Sequence, residues 1–374
     1  MTAAAAGRWA AAVLCGLAVS AGPSVPGYAA GDPPPLPYGG DECVGESDVT
    51  YDGVPWPVAR MAPHLAWPVS RGDGVTVAVV DSGVGKPPGL EGAVQRGRDV
   101  VSGGRADDDC AGRGTALAGI VAARPVGRRG VVGIAPEASV LPIRIIDGDG
   151  QVPPKAIAKG IQAATKLGAD VILVGTAAET DDAGLRGAVA KAVADDVLVV
   201  APVAERDQGP GFPAGYEQVL SVGGVDPDGQ PTETHQPDLY APGYGIVAVG
   251  GAGHYEVSGP SVAAGYVAGA AALVRAYHPD LDEAEVRERL TLTAMRTGAE
   301  DPGAVDPPAA VSDLDPGRTN RTPEPRGGAL TLPDGPGSDP AVPRSLWYGG
   351  SVLLATLTVL AVVAVLRSRR RAAG

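Results

Sequence analysis

Gly74-Val75-Thr76-Val77-Ala78-Val79-Val80 is a nearly unbroken apolar run closed by Asp81-Ser82-Gly83, and runs of this kind recur down the chain with helix-length stretches between them. A short apolar run that ends in a turn reads as a strand buried on both faces. Gly114 to Ala123 then reads as a helix, Ala138 to Ile146 as a strand, Pro154 to Leu167 as a helix and Ala169 to Val174 as a strand. Asp181 to Ala194 is the next helix; Asp196 to Val203, Val219 to Val225 and Gly245 to Val249 are further strands. Strands joined through helices of this length need right-handed crossovers, so the expected fold is α/β with a doubly wound parallel sheet. Such sheets place their sites at the carboxyl ends of strands, and Asp81 falls at one. Ser261 to Tyr277 is rich in glycine and alanine and uncharged until Arg275, which predicts a central buried helix. Asp282 to Met295 reads as its amphipathic successor, with Asp282 as N-cap and Glu283 and Glu285 in the first turn.

The two ends differ from this middle. Arg8 precedes an apolar run from Trp9 to Ala21 and small residues up to Ala30, so residues 1–30 read as a secretory signal peptide, with an uncleaved anchor as the alternative. Residues 31–60 are rich in proline, glycine and acid and read as an N-terminal extension over the surface of a domain spanning 61–300. Residues 301–345 read as a Pro/Gly-rich linker without a core. Residues 346–366 then form an apolar stretch of the length a bilayer needs, followed at 367–374 by a tail carrying Arg367, Arg369, Arg370 and Arg371. That order predicts one transmembrane helix with a cytoplasmic C-terminus, against the alternative of a buried core helix, and puts the main domain outside the cell membrane. The net charge of -13 argues against nucleic acid as a partner.

Three cysteines occur, and Cys15 would leave with the signal peptide. Cys43 and Cys110 remain as a pair in an oxidising compartment, which predicts a disulfide; two buried thiols are the alternative. The four histidines (His64, His235, His254 and His278) show no ligand spacing, so no metal and no other cofactor is expected.

Three blocks in register carry a resemblance. Val77-Ala78-Val79-Val80-Asp81-Ser82-Gly83 resembles the aspartate motif of subtilisin-like serine proteases. Gly112-Arg113-Gly114-Thr115-Ala116-Leu117-Ala118-Gly119 is similar to their histidine motif, and Gly259-Pro260-Ser261-Val262-Ala263-Ala264-Gly265 to their serine motif. Val132-Gly133-Ile134-Ala135-Pro136 and Asp238-Leu239-Tyr240-Ala241-Pro242-Gly243 agree with the same family. The order aspartate, histidine position, serine is that of subtilisin-type triads. A narrower resemblance is to mycosins, the membrane-anchored subtilases of type VII secretion. It rests on the signal peptide, an extension carrying Cys43, Cys110 just before the histidine motif, the proline-rich linker, one span and the basic tail.

The resemblance implies Asp81 and Ser261 as triad positions, and the chain departs from it at the centre. The histidine position is Arg113. Histidine serves there because its pKa lies near neutrality, whereas arginine stays charged and cannot act as a base. The oxyanion asparagine of the family follows a strand like Val197 to Val203, and Glu205 falls at its place. A carboxylate only accepts hydrogen bonds and would repel the developing oxyanion. No asparagine occurs in residues 1–319, Pro260 replaces the usual threonine and Gly265 the usual proline. Losing a triad base costs roughly a million-fold in turnover and losing an oxyanion donor about a hundred- to a thousand-fold.

The expectation is therefore a serine endopeptidase by family that is inactive: a pseudoprotease that scaffolds type VII secretion membrane components or binds a secreted peptide. The alternative is an active endopeptidase with a non-standard base, for which His254 is the one other histidine considered. Arg113 is expected at a helix N-terminus, facing Asp81 in a two-pronged ion pair. Asp108 or Asp109 is the expected competitor for the same guanidinium, and Glu205 would add a second carboxylate beside it.

Overall fold

A computed structural model of the chain describes residues 33–37, 43–45, 47–127, 130–146, 152–204, 209–251, 253–296 and 302–313. The stretches read from the sequence as a signal peptide (1–30), a transmembrane helix (346–366) and a basic tail (367–374), with most of the linker and Glu205, lie outside the described residues. The chain divides after Arg318 into two units, and every described residue belongs to the first.

The strands are β1 (Thr76–Asp81), β2 (Arg98–Asp99), β3 (Ser139–Arg144), β4 (Val171–Val174), β5 (Leu198–Pro202), β6 (Leu220–Val225), β7 (Leu239–Pro242), β8 (Ile246–Gly250), β9 (Gly253–Val257) and β10 (Gly303–Ala304). The helices are α1 (Trp56–Met61), α2 (Arg113–Ala122), α3 (Pro154–Lys166), α4 (Ala183–Ala194), α5 (Pro260–Tyr277), α6 (Glu283–Leu292) and α7 (Pro307–Ser312). One parallel sheet runs β10-β7-β6-β5-β4-β1-β3-β2, and β8 and β9 form a separate antiparallel pair.

Successive side chains of a strand point to opposite faces. On β1, Val77 and Val79 join the core under α2 and α5, while Ala78 and Val80 join the core under α3 and α4. Both faces are covered, which is why the run is apolar throughout. Asp81 has the parity of Val77 and Val79 and therefore emerges on the α2/α5 side. β1 lies between β3 and β4, so the chain reverses its direction of winding there. That is the switch point at which an open parallel sheet leaves a crevice at its carboxyl ends.

α5 passes through the core with every residue from Val262 to Val274 buried. Small residues allow this. A Cβ added at Gly265, where the family usually has proline, would lie 3.2 Å from Cγ2 of Ile120 on α2. One added at Gly269 would press on Ile134 at 2.7 Å. α6 starts at Glu283 with Asp282 as its N-cap, as expected, and ends at Leu292, short of Met295: the Asp282 carboxylate accepts from the Glu285 amide at 2.9 Å, and Glu285 accepts from the Asp282 amide at 2.9 Å.

Two expectations are corrected. Ile246–Gly250 does not extend the main sheet; it pairs with Gly253–Val257, a strand not expected from the sequence. The fold also does not end at residue 300. Gly303–Ala304 pairs with Leu239–Tyr240, and α7 buries Pro307, Ala310 and Val311.

Candidate active site

Asp81 ends β1 fully buried. Its Oδ1 accepts from the Ser82 amide at 2.8 Å, and its Oδ2 from Nη2 of Arg113 at 2.8 Å. The Arg113 side chain is 20% exposed against 0% for Asp81. The same Nη2 lies 3.4 Å from the Gly175 carbonyl. The expected pair is present, with one correction. Contact runs through a single nitrogen and a single carboxylate oxygen, and the second oxygen accepts from the Ser82 amide.

Two further groups hold α2 where this contact is made. Asp109 accepts from the Gly112 amide at 3.0 Å, the Thr115 amide at 2.8 Å and the Thr115 hydroxyl at 2.7 Å, satisfying donors that the first turn leaves unpaired. Burial pushes its carboxyl above the ordinary range, against the hydrogen bonds of Thr115 and Ser82, and the Asp81 charge pushes the same way. Arg144, at the end of β3, donates to the Ser82 carbonyl at 2.9 Å and to the Asp108 carbonyl at 2.6 Å. It also pairs with the Asp108 carboxylate at 2.9 Å and with Asp99 at 3.2 Å. Asp108 and Asp109, considered as rivals for Arg113, are thus engaged in positioning the loop before it.

Gly175, just past β4, was not anticipated. A Cβ there would overlap Asp81 Oδ2, so only glycine lets that backbone approach the carboxylate. Leu36 was not anticipated either: the extension carries it onto α2, where it is 3% exposed. Proline-rich composition gave no sign of that contact.

Arg113, Gly175, Glu179, Ala204, Ser261 and Leu36 line one cleft of about 500 Å³ at the carboxyl ends of β4 and β5 and the first turns of α2 and α5. Ser261 stands on the first turn of α5, after Pro260 at N1. Its hydroxyl forms no hydrogen bond among the described residues. Among the described residues, no histidine lines the cleft. His254 is buried on β9, and its Nδ1 accepts from the Tyr51 amide at 2.9 Å, so that nitrogen is committed to the extension. His278 contacts the Val311 carbonyl at 2.9 Å. Among the described residues the cleft therefore offers a serine hydroxyl and a cation that cannot take a proton, with the buried Asp81 behind that cation. Nucleophilic catalysis needs a base beside the serine.

Cys43 and Cys110 form the expected disulfide, three residues ahead of Arg113, with Cα atoms 4.4 Å apart. The Val44 amide donates to the Cys110 carbonyl at 2.8 Å beside it. No group of three or more ligand-type side chains able to hold a metal occurs among the described residues.

The sheet order, the positions of Asp81 and Ser261 and the central α5 define a subtilisin-like protein, and residues 72–324 match the model of the subtilase family: the chain belongs to that family. Within it the chain is mycosin-like. Mycosin-3 of Mycobacterium tuberculosis is 34% identical over 86% of this chain and 86% of its own length. Subtilisin DY of Bacillus licheniformis is 33% identical over 61% of this chain and 86% of its own length. The solved structure of MycP1, described as a serine protease and an essential component of the type VII (ESX-1) secretion system, superposes with a TM-score of 0.65. It is 29% identical and covers 75% of this chain and 97% of its own. MycP3 from the type VII (ESX-3) secretion system gives 0.64 at 30% identity, covering 76% and 97%.

Proposed function

We propose that this chain is a membrane-anchored, outward-facing mycosin-like subtilase that no longer cleaves peptide bonds and serves type VII secretion by scaffolding or by holding a peptide in its cleft. The observation that carries this reading is the Arg113–Asp81 contact, 2.8 Å long with its carboxylate fully buried. In a working triad the aspartate orients a histidine that takes the serine proton. Here the same carboxylate balances a permanent charge, so the site is a fixed ion pair beside an unactivated Ser261. By sequence resemblance Glu205 falls where the family has its oxyanion asparagine, and a carboxylate cannot supply the hydrogen-bond donor that this role needs.

Anchoring and topology rest on the sequence: a leader over 1–30, a span over 346–366 and a basic tail over 367–374. The Cys43–Cys110 bond supports an oxidising, extracytoplasmic setting for the domain. Components of a secretion membrane complex are the partners that the kinship with MycP1 and MycP3 supports.

The test is chemical. A fluorophosphonate should label Ser261 no faster than a surface serine, and stoichiometric labelling within minutes would overturn the reading. Arg113→His with Glu205→Asn should restore labelling, while either change alone should leave it near background. Identification of secretion-channel proteins in affinity purifications from membranes would support the proposed setting, and their consistent absence would count against it.

A further inference from the structure

Leu36 is a partition between two cavities. It lines the cleft that holds Arg113 and Ser261, and also a second cavity of about 430 Å³ walled by Val44, Pro87, Pro88 and Tyr255. Its segment is Pro33-Pro34-Pro35-Leu36-Pro37, in which Pro33 and Leu36 are buried and Pro34, Pro35 and Pro37 are exposed. Burial at a spacing of three is the repeat of a polyproline II helix laid down on one face. The segment owns one main-chain N–H, that of Leu36, and donates it to the Glu256 carbonyl on β9 at 2.8 Å. Glu256 returns its own amide to the Pro34 carbonyl at 2.8 Å. The leucine side chain rests over Gly112, where an added Cβ would lie 3.1 Å from Leu36 Cδ1. Gly112 immediately precedes Arg113, so the seat adjoins the ion pair.

We propose that this seat is a docking site for extended proline-rich peptides carrying a leucine. The chain's own Pro33–Pro37 segment fills it in cis, and a partner protein's segment of the same chemistry fills it in trans. The inference rests on the peptide-binding reading of the cleft given above. The seated segment itself defines the ligand. A stiff polyproline strand loses little entropy on docking, one apolar hollow takes the leucine, and the Glu256 amide and carbonyl fix the register.

On the N-terminal side of Cys43, the described hold on the cis segment is this pair of main-chain hydrogen bonds and its two buried side chains. Its near tether is the Cys43–Cys110 bond. An occupant on so short a tether competes at a millimolar effective concentration, so a partner must be concentrated or multiply attached to displace it. When it does, the incoming leucine takes the place of Leu36 between the two cavities, over Gly112 and next to Arg113.

The experiment uses the full chain in detergent and a fluorescein-labelled peptide of its own sequence, Pro-Pro-Pro-Leu-Pro-Tyr-Gly-Gly. Leu36→Ser empties the hollow, and this variant should bind the peptide at least about tenfold more tightly than the unaltered chain. A peptide with serine in place of the leucine should bind neither. Equal binding by the two proteins, both melting cooperatively with the disulfide intact, overturns the proposal, as does equal binding of the leucine-free peptide. A second measurement needs no variant. Saturating peptide should speed hydrogen exchange at the Leu36 amide of the unaltered chain and leave the Val44 amide unchanged; undiminished protection at Leu36 overturns the proposal. Fluorophosphonate labelling of Ser261 is a separate readout, so failure of the pseudoprotease reading and failure of the docking site are told apart.

Discussion

Arg113 presents one guanidinium nitrogen to one oxygen of Asp81 at 2.8 Å, and the carboxylate that receives it has no solvent exposure. An ion pair of this kind is asymmetric. Removing the cation strands a buried charge, whereas removing the carboxylate leaves a cation that is 20% exposed. Arg113→Ala should therefore destabilise the domain by about 3 kcal/mol or more, and Asp81→Ala combined with Arg113→Ala should cost less than the two single changes added together. Urea unfolding of the four proteins measures the coupling. Additive costs would show that the pair contributes no mutual stabilisation.

Gly175 tests the closeness of that packing from the other side. A Cβ at this position overlaps Asp81 Oδ2 and comes within 2.7 Å of Leu117 Cδ1, and both neighbours are buried. Gly175→Ala should cost about 1–3 kcal/mol by overpacking. A melting temperature equal to that of the unaltered protein would mean that the β4 loop moves aside freely.

The Cys43–Cys110 bond closes a separation of 67 residues. The chain-entropy treatment gives about 4 kcal/mol for a loop of this size. Cys43→Ser with Cys110→Ser should lower the unfolding free energy by a few kcal/mol in the same treatment, without abolishing the sheet signal in circular dichroism. A thiol count on the denatured, unreduced protein, taken without residues 1–30, should be zero; two would contradict the bond.

Glu283 carries a pH dependence of definite sign. It is 6% exposed, its Oε2 finds no hydrogen-bond partner, and burial pushes its carboxyl above the ordinary range. Arg287 and Arg275 pull it down, and Asp282 and Asp196 push it up. A folded-state pKa above the unfolded value means that the folded state binds the proton more tightly. Its stabilising contribution is fully present below the unfolded pKa and is lost as pH rises through the folded one. Glu283→Gln should remove that loss, stabilising the chain relative to the unaltered protein at pH 7 and leaving it unchanged at pH 3. Denaturant midpoints across that range check it, and a gain confined to low pH would reverse the sign and refute the argument.

Asp109 supplies the prediction on local geometry. Its carboxylate satisfies the Gly112 and Thr115 amides at the start of α2. Asp109→Ala should cost about 1–2 kcal/mol, the range for a lost helix cap. Because α2 delivers Arg113, the same change should also weaken the coupling to Asp81 measured above; undiminished coupling would show that Arg144 alone holds the loop.

The sequence by itself determined the alternation of strands and helices, the place of Asp81 at the carboxyl end of a buried strand, and the loss of a proton acceptor at residue 113. These are local properties. Val77 to Val80 is apolar on both faces wherever it packs, and a guanidinium is protonated in any fold. The pairing of Cys43 with Cys110 was legible for a different reason, since compartment and parity leave two cysteines one natural partner each. Tertiary structure alone decided the rest. Ile246–Gly250 has the pattern of another parallel strand, yet the chain doubles back at Gly250–Gly253 and pairs it with Gly253–Val257, leaving β7 to meet Gly303–Ala304. A two-residue strand has no periodicity to read, so its place depends on a partner more than 60 residues away in the chain. Leu36 sits among prolines, where composition signals an extended linker, and becomes a buried wall of the cleft only because β9 offers Glu256 and α2 offers the bare surface of Gly112. The Arg113 contact is single-pronged, with the other Asp81 oxygen turned to the Ser82 amide. Each of these outcomes is a non-local pairing, fixed by which backbone and side-chain groups meet after the sheet has assembled.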